Sequence, residues 1–103
     1  MFEVVITSKA QKDLASITNQ RTKKAIASRL IDLKTEPEKR GKPLTGDLKG
    51  FYSIRAASQR YRIIYEVTIS EGMVSVVVIG IRKEGDKKDA YEVARKRLGK
   101  QGK

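Results

Sequence analysis

The chain has 103 residues with 23 Lys and Arg against 12 Asp and Glu, a formal charge of +11, and neither cysteine nor histidine. Disulfide scaffolds, thiolate metal sites and histidine-based acid–base or metal chemistry are therefore excluded, and any catalysis must use Lys, Arg, Tyr, Asp, Glu, Ser or Thr. The longest apolar stretch, Val76 to Ile81, falls far short of the ~20 residues of a membrane span, and the opening Met-Phe-Glu-Val is not a secretory signal.

Phe2, Val4 and Ile6 alternate with Glu3 and Thr7, which predicts a strand over about residues 2–7. Ser8-Lys9-Ala10-Gln11 has the form of a capping box, and Ala10, Leu14 and Ile17 follow at helical spacing. Thr18 and Asn19 can cap a second helix, whose Ile26, Leu30 and Leu33 form an apolar stripe widened by Ala25 and Ile31. Pro37 should stop that helix near Thr35 or Glu36, giving a helical hairpin. Residues 38–50, with Gly41, Pro43, Gly46 and Gly50, read as an extended loop.

Tyr52, Ile54 and Ala56 then share one strand face, and Tyr61, Ile63, Tyr65 and Val67 share a face of the next. Met73 to Ile81 is the best candidate for a central strand. After a charged loop from Lys83 to Lys88, helical spacing returns over Asp89 to Leu98 through Ala90, Val93, Ala94 and Leu98. The predicted order is β-α-α-β-β-β-α: one α+β domain over residues 1–103. It would hold an antiparallel sheet of about four strands with helices on one face, an N-terminal helical hairpin, a C-terminal helix and a flexible basic tail at 99–103.

The charge and a pI near 10.1 point to a polyanionic partner, nucleic acid first. A hairpin turn centred on Ser58 and Gln59 would place Arg55 opposite Arg62 on one face. Like charges across a strand pair are unfavourable. Either the two are splayed and solvated, with Glu66 or Glu84 as partners, or they form two forks facing one phosphate. Arg82, Lys83, Lys87 and Lys88 make a second basic cluster beyond the last strand. Tyr91, at the start of the last helix, can either reach a site at the strand ends or pack in the core.

The ordered set of segments resembles the bacterial toxins of the RelE/ParE superfamily: Ser-Lys-Ala-Gln-Lys-Asp-Leu after the first strand, Pro43-Leu44-Thr45-Gly46, Tyr52-Ser53-Ile54-Arg55, Tyr61-Arg62-Ile63-Ile64-Tyr65, Val78-Ile79-Gly80-Ile81-Arg82-Lys83 and Asp89-Ala90-Tyr91. The resemblance implies the RelE-like fold and a cytoplasmic, ribosome-dependent mRNA endoribonuclease of a toxin–antitoxin pair. Its partners would be a cognate antitoxin, the ribosome and mRNA, with no cofactor, metal or membrane. It makes Arg62 a phosphate ligand, Arg55 and Arg82 its cationic companions, and Tyr91 a base-stacking or proton-transfer residue, so that the catalytic set is Arg55, Arg62, Arg82 and Tyr91. Lys49, Lys83, Lys87 and Lys88 are the RNA-binding candidates. Ser53 departs from the family, whose strongly cleaving members carry lysine there. The base stays open among Tyr91, Lys83, Lys49 and Glu84. The second reading is a ParE-like toxin that poisons DNA gyrase without cutting RNA.

Overall fold

The computed structural model of the protein describes residues 1–98, and the expected basic tail at 99–103 lies outside them. In chain order they form β1 (Glu3–Ile6), α1 (Ser8–Ala15), α2 (Gln20–Asp32), one-turn α3 (Pro37–Arg40), β2 (Lys42–Pro43), β3 (Phe51–Ala56), β4 (Tyr61–Thr68), β5 (Met73–Ile81) and α4 (Ala90–Leu98). The strands make one sheet in the order β1-β5-β4-β3-β2. The pairs β2–β3, β3–β4 and β4–β5 are antiparallel, while β1 runs parallel to β5 with Glu3 opposite Met73 and Ile6 opposite Val76. The fold is α+β with the predicted helical hairpin and C-terminal helix, on a mixed sheet of five strands. A period of two identifies a strand but carries no information on its direction. None of the described helices is long and apolar enough to cross a membrane.

The helix ends follow local hydrogen bonding. Thr7, one residue before the predicted cap, accepts the Ala10 amide at 3.2 Å, because its own amide is still held by the Val76 carbonyl of the sheet. Gln11 reaches back to the Ile6 carbonyl at 2.8 Å. Asn19 caps α2 as predicted, accepting from the Thr22 amide at 2.9 Å. That helix ends at Asp32, short of Thr35, and Ile31 lies outside its apolar stripe at 63% exposure.

Residues 38–50 are not one extended loop. Pro37 opens α3 at a position that needs no amide donor. The Tyr65 hydroxyl, buried beneath the sheet, donates to the Pro37 carbonyl at 2.7 Å. Burial pushes that phenol up to about 12, helped by its stacked neighbour Tyr52 at 5.5 Å between ring centroids. The chain then closes onto β3, with Lys42 opposite Ser53 and Pro43 opposite Tyr52. Proline is tolerated there because β2 is an edge strand. Gly41 makes the approach possible: a Cβ on it would lie 2.5 Å from the Tyr65 hydroxyl oxygen and 2.8 Å from the Ser53 carbonyl oxygen. Gly41→Ala should therefore lower stability by about 1–3 kcal/mol through overpacking, read as a shift in the urea midpoint. An unchanged midpoint would show that β2 can retreat at no cost.

Helices cover both faces of the sheet, not one. Ala10, Ile17, Ile26, Leu30 and Leu33 of the hairpin region pack with Ile54, Ile63, Tyr65, Val74 and Val76 on one side. Ala90 and Ala94 of α4 pack with Leu48, Ile64 and Val78 on the other. Consecutive apolar residues such as Ile63-Ile64 belong to opposite faces of a strand and demand cover on each. At the β5 edge beyond the end of β1, Asp13 of α1 accepts the Ile79 amide at 3.0 Å and Arg97 of α4 donates to the Val77 carbonyl at 3.0 Å. Arg97 also grips Asp13 with two bonds of 2.8 Å, tying α4 to α1 around the sheet edge. On that same face a cleft beside the β3–β4 hairpin, at Arg55 and Arg62, remains open.

Candidate active site

The open face carries the two predicted arginines. Arg55 and Arg62 are direct partners in the β3–β4 register, as are Ala56 and Tyr61. The connecting turn holds Ala57, Ser58 and Gln59 at φ of 51°, 58° and 68°, three successive left-handed residues with no glycine among them. Such a run costs free energy and persists only where its surroundings fix it. Here the Arg60 amide donates to the Ala57 carbonyl and the Arg82 amide to the Arg60 carbonyl, at 3.2 and 2.8 Å. Arg62 Nη1 donates to the carbonyls of Gln59 at 2.6 Å and Tyr61 at 3.2 Å, and Arg55 Nη1 to the Gln59 side chain at 3.3 Å. Neutral oxygens therefore position both guanidinium groups, and neither is paired with Glu66 or Glu84 among the described residues. Their charge is left for another ligand.

The opposite wall is built by the end of β5 and the start of α4, joined through Asp89. This carboxylate is 2% exposed. It accepts Arg82 Nη1 at 2.6 Å, the Lys83 amide at 2.6 Å and the Tyr91 amide at 3.0 Å. Burial alone would raise its pKa, but the hydrogen bonds from Arg82 and the two amides outweigh it and hold the carboxyl below its ordinary range. The same bond to Asp89 raises Arg82 further above its already high value. Arg82 lies 5.0 Å above the Tyr91 ring, a cation–π contact. The Tyr91 hydroxyl sits 2.9 Å from Ser53 Oγ of β3. Tyr91 is thus neither free at the surface nor lost in the core: its ring is half-buried and its hydroxyl faces the sheet.

Arg55, Arg62, Arg82 and Tyr91 line one cleft of about 420 Å³, together with Lys42, Leu44 and Ser53. Four cations and two hydroxyls face this volume, and no carboxylate among the described residues lines it. The remaining candidates lie elsewhere. Lys83 pairs with Asp86 at 3.5 Å, and Lys87 and Lys88 border a separate hollow beside Asp13, Ser16 and Tyr61. Lys49, exposed after the turn Gly46–Leu48, does not line the cleft. Glu84 borders a smaller hollow behind Arg82. Two contributors escape sequence reasoning. Lys42 is hidden by the reading of residues 38–50 as loop, although the register puts it on the face of Ser53. Asp89 has a signal in the Asp-x-x-Glu run Asp89 to Glu92, a helix-start pattern like the one at Ser8.

Comparison with known proteins agrees with this architecture. The sequence profile of the ParE toxin of type II toxin–antitoxin systems, parDE, matches residues 4–85. The chain is 31% identical over 86 residues to Toxin RelE of Mycobacterium tuberculosis (strain ATCC 25618 / H37Rv), covering 79% of this chain and 81% of that protein. Among solved structures, the toxin–antitoxin complex RelBE2 from Mycobacterium tuberculosis aligns with a TM-score of 0.71 at 29% identity, over 79% of this chain and 98% of that one. The isolated Escherichia coli RelE toxin aligns with a TM-score of 0.70 at 20% identity, over 95% of this chain and 99% of that one, a likeness of fold. With 82 consecutive residues matched by one profile and the RelE-like fold around them, the chain belongs to the ParE toxin family, within the RelE/ParE superfamily, and is a toxin of a type II toxin–antitoxin system.

Proposed function

We propose that the protein is a ribosome-dependent endoribonuclease that cuts mRNA and is held inactive by a cognate antitoxin. The observation that carries this reading is the convergence of Arg55, Arg62, Arg82 and the Tyr91 hydroxyl on one cleft that no carboxylate among the described residues lines. Cleavage within RNA needs no external nucleophile: the 2′-oxygen attacks the adjacent phosphorus, the bond from phosphorus to the 5′-oxygen breaks, and a 2′,3′-cyclic phosphate and a 5′-hydroxyl result. One proton leaves the 2′-hydroxyl and one reaches the 5′-oxygen. Between those events the phosphorane gains negative charge, and preplaced guanidinium forks stabilise it more than they stabilise the starting diester. Arg55 and Arg62 supply adjacent forks on one wall, and Arg82, locked by Asp89, supplies a third from the other.

Proton handling falls to the hydroxyl pair. Among the described residues that line the cleft, Tyr91, hydrogen-bonded to Ser53, is the only group with an exchangeable proton that is neither guanidinium, ammonium nor an aliphatic alcohol. Ser53 supplies the partner oxygen that orients it in place of the family's lysine charge. Positioning by the ribosome and charge stabilisation carry the rest of the acceleration. The antitoxin follows from family membership and from relatives such as RelBE2, solved as a toxin–antitoxin complex. The single domain, RNA as substrate and a cytoplasmic site of action belong to the same proposal.

The second reading, gyrase poisoning, is favoured by Ser53 and by the ParE name of the matching profile. Purified protein added to translating ribosomes should cut mRNA, and added to gyrase with relaxed plasmid DNA should leave supercoiling unaffected. Tyr91→Phe should slow the cut by about 10²–10⁴-fold, the usual contribution of a proton-transfer group. Intact mRNA together with blocked supercoiling would reverse the choice.

A further inference from the structure

The cationic cleft does not end at β2. A second groove of about 400 Å³ shares Lys42, Ser53 and Arg55 with it and continues around the sheet edge to Arg40 and Arg29. Gly41 draws the chain against β3, with Arg40 and Lys42 on either side of it in sequence. Arg40 uses Nε on the Thr35 carbonyl at 2.9 Å, and its Nη groups have no protein partner among the described residues. Arg29 lies on α2, half-exposed, with one Nη on Asp32 at 3.1 Å. No carboxylate among the described residues lines the second groove either.

We propose that this groove is a second phosphate-binding subsite, in which Arg29 and Arg40 hold the backbone of a single RNA strand whose reacting nucleotide lies in the cleft at Arg55 and Arg62. The inference rests on the endoribonuclease reading and extends it from one scissile phosphate to a bound strand. Two features favour an RNA strand over an acidic peptide. The cations line two adjoining grooves that share Lys42, Ser53 and Arg55, so that successive phosphates of one strand could meet successive cations. Arg40 is held by a neutral carbonyl and Arg29 by a single bond to an exposed carboxylate, which leaves other N–H donors of both for a ligand, and the groove offers few apolar side chains for those of a peptide to pack against. The subsite acts on the backbone, since its described lining is dominated by cations and contains no aromatic ring for a base to stack on.

The test compares binding of a trinucleotide and a decanucleotide of 2′-O-methyl RNA, which cannot be cut, by wild-type protein and by Arg29→Gln/Arg40→Gln, across a salt series. Wild type should bind the longer strand more tightly. The double variant should bind it about tenfold more weakly, with the salt slope reduced by about 1.4, roughly 0.7 for each phosphate of a single strand that the substituted arginines no longer neutralise, and should bind the trinucleotide as wild type does. Circular dichroism checks the fold, and Arg29→Lys/Arg40→Lys, which keeps the charges, should recover most of the length effect. Equal affinity for both lengths, with trinucleotide binding still dependent on Arg62, would overturn the second subsite alone. No binding of either strand by wild type would overturn it along with the cleft reading. A polyglutamate decapeptide that depends on Arg29 and Arg40 while the RNA shows no length effect would give the groove to an acidic protein segment and overturn the proposal.

Discussion

Arg62→Ala is expected to abolish growth arrest on induction and to lower ribosome-dependent mRNA cleavage by about 10²–10³-fold, the usual loss when one preorganised stabiliser of transition-state charge is removed. The far-ultraviolet circular dichroism should be unchanged. In the folded protein the Arg62 guanidinium donates to the carbonyls of Gln59 and Tyr61 and faces Arg55 across the strand pair. Removing it forfeits two hydrogen bonds to exposed or half-buried carbonyls, each worth about 1 kcal/mol, and relieves a like-charge juxtaposition. These effects oppose one another, so net stability should move by no more than about 1–2 kcal/mol. Its function has no such compensation, because no other fork faces Arg55 from β4. Arg62→Lys restores the charge without the two-pronged geometry and should recover activity only in part. A folded Arg62→Ala protein that still arrests growth would remove Arg62 from the site.

How much of this site can be read from residues alone follows from how local each determinant is. The Arg55–Arg62 pair is legible because a four-residue turn fixes strand register by counting, and Ala56 does face Tyr61. The helical stripes of Ile26, Leu30 and Leu33 are legible for the same reason: a helix repeats within a few residues. What depends on distant parts of the chain is not. The parallel pairing of β1 with β5, the addition of Lys42 to the sheet and the placement of α4 across from α2 each arise from packing between segments well separated along the chain. The hydroxyl contact of Ser53 with Tyr91, 38 positions apart, is of this kind. Seen in sequence, Ser53 is the loss of a lysine; seen in the fold, it is half of a hydroxyl pair. The basic run from Lys83 to Lys88 shows the opposite failure. Proximity in sequence to Arg82 suggests a shared role, yet the turn through Gly85, at φ 83°, sends Lys87 and Lys88 toward a different hollow.

Asp89→Ala is expected to lower stability by about 2–4 kcal/mol through the lost charge-assisted hydrogen bonds and cap and to cost activity beyond that loss, since this one carboxylate holds both sides of the wall it stands in. It precedes α4 and caps it through the Tyr91 amide, an interaction worth about 1 kcal/mol. It also holds Arg82 through one Nη, and because the Arg82 side chain is still 32% exposed to the cleft, that pair is worth less than a fully buried one. With the carboxylate gone, Arg82 loses the bond that holds it over the Tyr91 ring, and the start of α4 loosens under the residue that bears the cleft's phenol. Asp89→Asn separates the two contributions. The amide oxygen still caps α4 but cannot carry charge, so helix docking should largely survive while Arg82 is released. The pH dependence identifies the charge. Because Asp89 is held below its ordinary value of 3.8, its stabilising contribution is fully present above that pH and is lost as pH falls through the lower value in the folded protein. In urea denaturation, wild type should exceed Asp89→Asn by about 2 kcal/mol at pH 7, and the two curves should converge as the solution is acidified below 3.8. A gap that stays constant down to acid pH would show that the carboxylate acts through its shape alone, and cleavage at the wild-type rate by Asp89→Asn would show that Arg82 reaches the phosphate without it.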